Sequence, residues 1–296
     1  DLTMGEIVGA GLVSHVPTIM MPKETRLEIN QGNEISLVPG FERLRKEVLD
    51  ELNPDTIIIF DTHWATLLEF GVTAADRRAG KFTSDELPRG MRQVPYDLKG
   101  NPELAKVIAA ETQNLDMRCT AIDDPYLPIH YGTVNVAHFL NRGEEWLSIG
   151  MVMTAETDDY LTMGKGLAKA IEKSDRRVVL LASGSMSHQF YPMKELLKHE
   201  SSDPKHIFTA EARDADYQRL DWFKAGDHAS VLATMDDYYQ HKPEGRFGHY
   251  LMMVAALGGA ECKAKGRQFS DYENSVGTSQ VHVWFDKPAG GWTAGT

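Results

Sequence analysis

The stretch TIIIFDTHW, residues 56–64, limits what this chain can fold into more than any other. Four large apolar residues in succession, Ile57 to Phe60, follow the turn signal Asn53-Pro54-Asp55. A strand sends successive side chains to opposite faces, so all four are hidden only where both faces are covered, as in a central strand flanked by helices. The run then breaks into Asp61, Thr62 and His63. Open α/β sheets bind ligands just beyond the carboxyl ends of their strands, so the break falls where chemistry is expected.

The neighbouring sequence supplies the rest of an alternating pattern. EIVGAGLVSHVPTI (6–19) reads as a first strand stopped at Ser14-His15-Val16-Pro17, because proline cannot donate to a ladder. In PGFERLRKEVLDELN (39–53), Phe41, Leu44, Val48 and Leu52 recur at helical spacing, which completes a strand-helix-strand unit. A polar, turn-rich stretch over 72–101 is expected to precede a helix capped by Asn101 with Pro102 in its first turn. EWLSIGMVMTA (145–155) reads as a strand and TDDYLTMGKGLAKAIEK (157–173) as a helix capped by Thr157. RRVVLLASGSMSHQF (176–190) reads as a buried strand, the region 205–258 as mostly helix, and SQVHVWF (279–285) as a last strand. With no repeat, linker or low-complexity segment, the expectation is one α/β domain over 1–296, its central mixed, largely parallel sheet flanked by helices.

Charge and cysteine content narrow the partners. A net charge of -12 argues against nucleic acid or an anionic membrane surface, either of which requires clustered Lys and Arg. Cys119 and Cys262 lack CxxC spacing and read as buried thiols, which fits the cytoplasm. No run reaches the ~20 apolar residues of a membrane span. No signal peptide is read at the start, and Met4 is expected to mark the natural beginning, with residues 1–3 a cloning remnant.

Three separate buried runs end in a histidine: His15, His63 and His188. If their strands are parallel neighbours, the three imidazoles open onto one sheet edge and give two metal ligands and a free acid/base. A mononuclear metal on two histidines calls for a carboxylate as well, and that set leaves coordination positions open for substrate and O2. Glu244 in HKPEGRFGHY and Glu261 in GGAECKAKG both sit at turn-like places, and spacing alone leaves the choice open. His130, beside Tyr131, is read as a pocket wall or a plain loop residue; His199, His206 and His228 as solvated; His249 as ambiguous; His138 and His282 as packing residues.

SHVP after the first strand, FDTHW after the second, YGT at 131–133, LASGSMSH at 181–188 and SVGTSQVHVWF near the end occur in the order found in one family. The chain resembles the type III (LigB-type) extradiol ring-cleaving dioxygenases over nearly its whole length. The resemblance implies Fe(II) bound by His15, His63 and Glu244, with Glu261 as the fallback ligand, and manganese as an alternative metal. It implies His188 as acid/base and Tyr131 as a pocket-lining residue; Tyr131 and the neighbouring His130, which stands where the family carries an acidic residue, are expected as catalytic hydrogen-bond donors to a substrate oxygen. The implied substrates are O2 and a small aromatic diol, 3,4-dihydroxyphenylacetate first, with 2-aminophenols, gallate-like and biphenyl-derived diols behind it. A ring carboxylate calls for a basic partner, for which Arg246 and Arg92 are the candidates. A homo-oligomer, dimer or larger, is also implied. The competing readings are a zinc hydrolase built on the same His-His-Glu set and a non-catalytic partner subunit; the presence of all four site residues argues against the second.

Overall fold

The computed structural model describes residues 4–295, so the expectation for residues 1–3 lies outside the described part. Twelve strands are seen among these residues: β1 (Glu6–Val13), β2 (Thr56–Thr66), β3 (Phe70–Thr73), β4 (Arg77–Phe82), β5 (Val94–Lys99), β6 (Cys119–Ile122), β7 (Glu145–Val152), β8 (Arg177–Ser183), β9 (Gly266–Gln268), β10 (Glu273–Ser275), β11 (Thr278–Gln280) and β12 (Val283–Asp286). Ten form one mixed sheet in the order β4-β5-β7-β2-β8-β1-β12-β9, with β3 and β6 attached beside β7. At its centre β7, β2, β8 and β1 run parallel. The three strands that lead to His15, His63 and His188 are therefore adjacent and point the same way.

The apolar run of β2 is buried as its composition requires. Ile57 and Ile59 face a cluster with Val179, Leu181, Phe41 and Trp146, while Ile58 and Phe60 face a second cluster with Leu180, Ile149, Met163 and Leu251. Each such side chain, withdrawn fully from water, contributes roughly 2 kcal/mol. Helices Leu37–Leu44 and Tyr131–Leu140 cover the first face; helices Pro102–Gln113, Thr157–Lys173 and Gly248–Ala256 cover the other. This is a single α/β domain with a mixed, centrally parallel sheet between helical layers.

Several local expectations are corrected. The polar, turn-rich stretch 72–101 also carries two strands, β4 and β5, which pair as an antiparallel hairpin at the sheet edge. Its exposed Arg77, Lys81 and Asp97 hid the strand pattern while keeping the edge charged, as edges commonly are. Asn101 caps the next helix by accepting from Leu104 N–H. The helix after β7 is capped one residue earlier than expected, by Glu156 in a reciprocal capping box with Asp159. The expected last strand is two, β11 and β12, in different sheets. Helix Gly248–Ala256 is buried on nearly every side, so its apolar surface belongs to the core. No helix among the described residues is long and apolar enough to cross a membrane.

Candidate metal centre

His15 stands two residues beyond β1 and is buried. Its Nδ1 lies 2.8 Å from Ser183 Oγ, and that hydroxyl already donates to the Gly132 carbonyl at 2.7 Å. Ser183 must therefore accept from His15, which puts the ring proton on Nδ1 and leaves the Nε2 lone pair free to bind a cation. The His15 carbonyl in turn accepts from Asn135 Nδ2 at 2.9 Å. Burial also pushes the His15 imidazole down to about 4, only partly opposed by Glu244, so the ring is neutral, as a metal ligand must be.

His63 is delivered by a different device. The pairing of β2 with β7 shifts register between Asp61 and Ala65, and an irregularity of this kind re-aims side chains at a strand end. Asp61, buried at its base, accepts from the His63 backbone N–H at 2.9 Å and from Thr133 Oγ at 2.8 Å. A Cβ at Gly132 would stand 2.1 Å from Asp61 Oδ1, so only glycine lets helix Tyr131–Leu140 start against this carboxylate. The His63 ring lies 4.8 Å from that of His15 and 3.8 Å from that of Tyr131.

Glu244 arrives from the second half of the chain. The three residues after it, Gly245, Arg246 and Phe247, all have left-handed backbone angles, with φ of 56°, 54° and 61°. For the two non-glycine residues this conformation costs on the order of 1 kcal/mol each, a local strain characteristic of functional sites. The turn brings the buried Glu244 carboxylate to the strand ends, where Oε1 accepts from Ser185 N–H at 2.8 Å. His15 Nε2 is 3.9 Å and His63 Nε2 3.7 Å from its oxygens, and the three ligand atoms lie within 4.8 Å of one another. Atoms bound at about 2.1 Å to one ion stand roughly 3–4 Å apart, so the donor set and the two histidine–glutamate distances fit a single first-row cation, and the widest separation of 4.8 Å has to contract on binding. Burial tends to raise the Glu244 carboxyl, but the surrounding His188, His15 and His63 outweigh it and hold the group below the usual carboxylate range.

His188 stands beside the three. Its Nε2 is 3.2 Å from Glu244 Oε2 and its Nδ1 2.7 Å from Ser185 Oγ. Burial holds its pKa below the ordinary value. Ser185 is the hub of this corner, because its carbonyl also bonds His249 Nε2 at 2.9 Å.

Other residues fall at varying distances from the centre. Tyr131 donates to Glu86 at 3.0 Å while its ring covers His63. His130 starts the same helix and stacks on Trp64, 6.3 Å between centroids, outside the ligand group. Glu261 is exposed on a surface turn and stays away from the histidines. Arg246 lies over the Tyr239 ring at 4.2 Å, and Arg92 is exposed between β4 and β5. His228 is not solvated: it is buried between the Tyr250 hydroxyl and the Ala264 carbonyl. His199 and His206 are half-buried, their Nδ1 atoms 2.9 Å apart. His282 is a packing residue as expected, bonded to Ser14 N–H and the Leu37 carbonyl, whereas His138 is exposed. Asp61, Asn135, Ser183 and Ser185 went unrecognised in the sequence although three of them lie inside the quoted motifs.

Residues 9–285 match the family model described as the catalytic LigB subunit of aromatic ring-opening dioxygenase. The chain is 28% identical over 260 residues to the 3,4-dihydroxyphenylacetate 2,3-dioxygenase of Escherichia coli, covering 86% of this chain and 91% of that protein. It is 23% identical over 271 residues to the 2-aminophenol 1,6-dioxygenase beta subunit of a Pseudomonas species, covering 86% of each. An uncharacterized protein of Escherichia coli K12, JW3007, has a crystal structure of similar fold, with a TM-score of 0.60 at 16% identity over 94% of this chain and 99% of that one. With the family model spanning His15, His63, His188 and Glu244 and the sheet that leads to the three histidines, the chain belongs to the LigB family of aromatic ring-opening dioxygenases and is an extradiol ring-cleaving enzyme.

Proposed function

We propose that this chain uses Fe(II), held by His15, His63 and Glu244, to cleave a catechol-type ring with O2 beside its hydroxyl pair, yielding a hydroxymuconic semialdehyde. The observation that carries this reading is the meeting of two imidazoles and one carboxylate within 4.8 Å, with a further imidazole, His188, beside them but outside the set. When bound on such a face, Fe(II) supplies adjacent open positions at which a diol and O2 react side by side.

The protein's own groups do the rest. Ser185 fixes His188 through Nδ1, so Nε2 is the atom presented to the reactants. A neutral imidazole there takes a proton from an entering hydroxyl and returns it to the departing oxygen. Tyr131 presents its ring along His63 and forms one wall, with His130 further out on the same side. Holding the diol between this wall and His188 supplies orientation. The substrates to test first are 3,4-dihydroxyphenylacetate and related catechols, then 2-aminophenol, after the names of the two relatives. Neither Arg246, engaged with Tyr239, nor the exposed Arg92 contacts the ligand group, so a ring carboxylate is not assigned to either. Manganese accepts the same ligand set. A homo-oligomer in the cytoplasm, where the buried free thiols of Cys119 and Cys262 stay reduced, completes the reading.

The test is anaerobic reconstitution with Fe(II), then air and a panel of catechols and aminophenols, with O2 uptake and yellow product absorbance recorded together. Uptake matched by product is expected, and His188→Ala is expected to keep its iron while slowing turnover by about 10²–10⁴-fold. No uptake with any diol, in protein holding one iron per chain, contradicts the proposal.

A further inference from the structure

Asp216 takes no part in the chemistry proposed above, yet it is wholly buried and accepts four hydrogen bonds. Ser187 donates twice, from its N–H at 3.2 Å and its hydroxyl at 2.6 Å. The Tyr238 hydroxyl donates at 2.7 Å, and the Tyr272 hydroxyl completes the set. A carboxylate offers about four acceptor sites, so Asp216 is saturated by the protein itself.

Two of its donors belong to the segments that carry the site. Ser187 immediately precedes His188, and Tyr238 ends the short helix from which the chain runs on to Glu244. Between these arms lies a short antiparallel bridge, with Ser187 opposite Pro243. His188 N–H donates to the Lys242 carbonyl and Glu244 N–H to the Met186 carbonyl, both at 3.0 Å. The register of this bridge fixes the 3.2 Å between His188 Nε2 and Glu244 Oε2, and a slip of one residue turns each side chain to the opposite face. A pairing this short has little cooperativity of its own. The carboxylate tied to both arms supplies what the pairing lacks. Arg219, on the same helix as Asp216, adds to the hold by placing its guanidinium 3.9 Å over the Tyr238 ring.

We infer that Asp216 is a positioning residue that sets His188 against Glu244, with Ser187 as its arm to the histidine and Tyr238 as its arm to the glutamate. The inference rests on the roles proposed above for those two residues. Its consequence is a division of labour that general destabilisation does not produce. Cutting the Ser187 arm disturbs proton transfer, whereas cutting the Tyr238 arm disturbs the metal.

The experiment compares Asp216→Asn, Ser187→Ala and Tyr238→Phe with the remote core variant Ile171→Val, all in the full chain. Fe(II) affinity is measured anaerobically by chelator competition, kcat and KM on the best catechol of the panel, and Tm for each protein. Ser187→Ala removes the hydroxyl, the shorter of the two Ser187 donors, and leaves the N–H; it is expected to lower kcat about tenfold with Fe(II) affinity and KM within about twofold of the parent. Tyr238→Phe is expected to weaken Fe(II) about tenfold while the fully loaded enzyme keeps its kcat, and Asp216→Asn to do both. Ile171→Val should lower Tm and change neither. If Asp216→Asn does not fold, the opposite effects of Ser187→Ala and Tyr238→Phe still decide the matter. Parent values throughout, or losses of kcat and affinity that merely follow Tm, overturn the inference. A wild-type enzyme that holds iron and cleaves no diol overturns the ring-cleavage reading and this inference with it; a cleaving wild type with unsplit variants overturns the inference alone.

Discussion

Two buried carboxylates meet the Ser187–Pro243 bridge, and their surroundings differ in kind. Asp216 receives four hydrogens from hydroxyl and amide donors. Glu244 receives one, from Ser185 N–H, and otherwise faces imidazole nitrogens at 3.2 to 3.9 Å. Burial lifts Asp216 above the usual carboxylate range even against its hydrogen bonds, whereas the histidines around Glu244 hold it below. A carboxylate saturated by its own protein is closed to ligands. One whose neighbours are nitrogen lone pairs is complete only with a cation between them. The difference separates a carboxylate that the protein saturates from one whose surroundings suit a cation by the company each keeps, since both are buried.

Substitutions that exchange these characters test the comparison. Glu244→Gln keeps the shape and the Ser185 contact but loses the charge; ring cleavage should fall by at least about 10³-fold, the expectation for losing a direct ligand rather than one of its supports, each of which is worth 10–100-fold. The chain should still fold, which circular dichroism checks. In Asp216→Ala the larger loss is expected in stability, beside the roughly tenfold losses of kcat and Fe(II) affinity that follow from cutting both arms. The substitution leaves two tyrosine hydroxyls and both Ser187 donors unpaired, so urea denaturation should show a loss of about 3–5 kcal/mol. Comparable loss of stability in the two variants removes the distinction.

Acid sharpens the contrast between neutral and charged buried groups. Burial lowers His249 and His282 to about 4 from 6.5. The unfolded chain therefore binds more protons in that window. Stability from these two residues is fully present above about pH 6.5 and falls as the pH drops toward 4, by up to about 3 kcal/mol each. Denaturation midpoints of the metal-free chain at pH 8, 6.5 and 5 check this, and a midpoint that rises on acidification contradicts it. The smallest effect is expected at Glu261, an exposed carboxylate outside both networks. Glu261→Ala should leave activity unchanged and stability within about 0.5 kcal/mol.

The parts of this arrangement that were legible in the sequence are those written locally. Ile57 to Phe60 announce a strand covered on both faces, and the histidines after three such runs share an edge because β2, β8 and β1 lie parallel and adjacent. Only the family resemblance favours Glu244 over Glu261; spacing does not distinguish it, because the left-handed turn that aims it inward runs through Arg246 and Phe247, residue types that do not ordinarily adopt that conformation. The supports were illegible for a different reason. Ser183 matters because Gly132 and His15 reach it from 51 and 168 residues away, and Asp61 because Thr133 comes from 72 residues away. His228 looked solvated in a charged stretch, yet Tyr250 and Ala264 close over it. Tertiary partners, not local composition, decide such residues.

Anaerobic Fe(II) titration of the wild type, Glu244→Gln and Glu261→Ala bears most directly on the central claim that the strand-end histidines and Glu244 form one metal face. One Fe(II) per chain is expected in the wild type and in Glu261→Ala, and binding weakened more than about 100-fold in Glu244→Gln, beyond what loss of a supporting residue produces. Undiminished stoichiometric binding by Glu244→Gln, or its loss in Glu261→Ala, contradicts the claim.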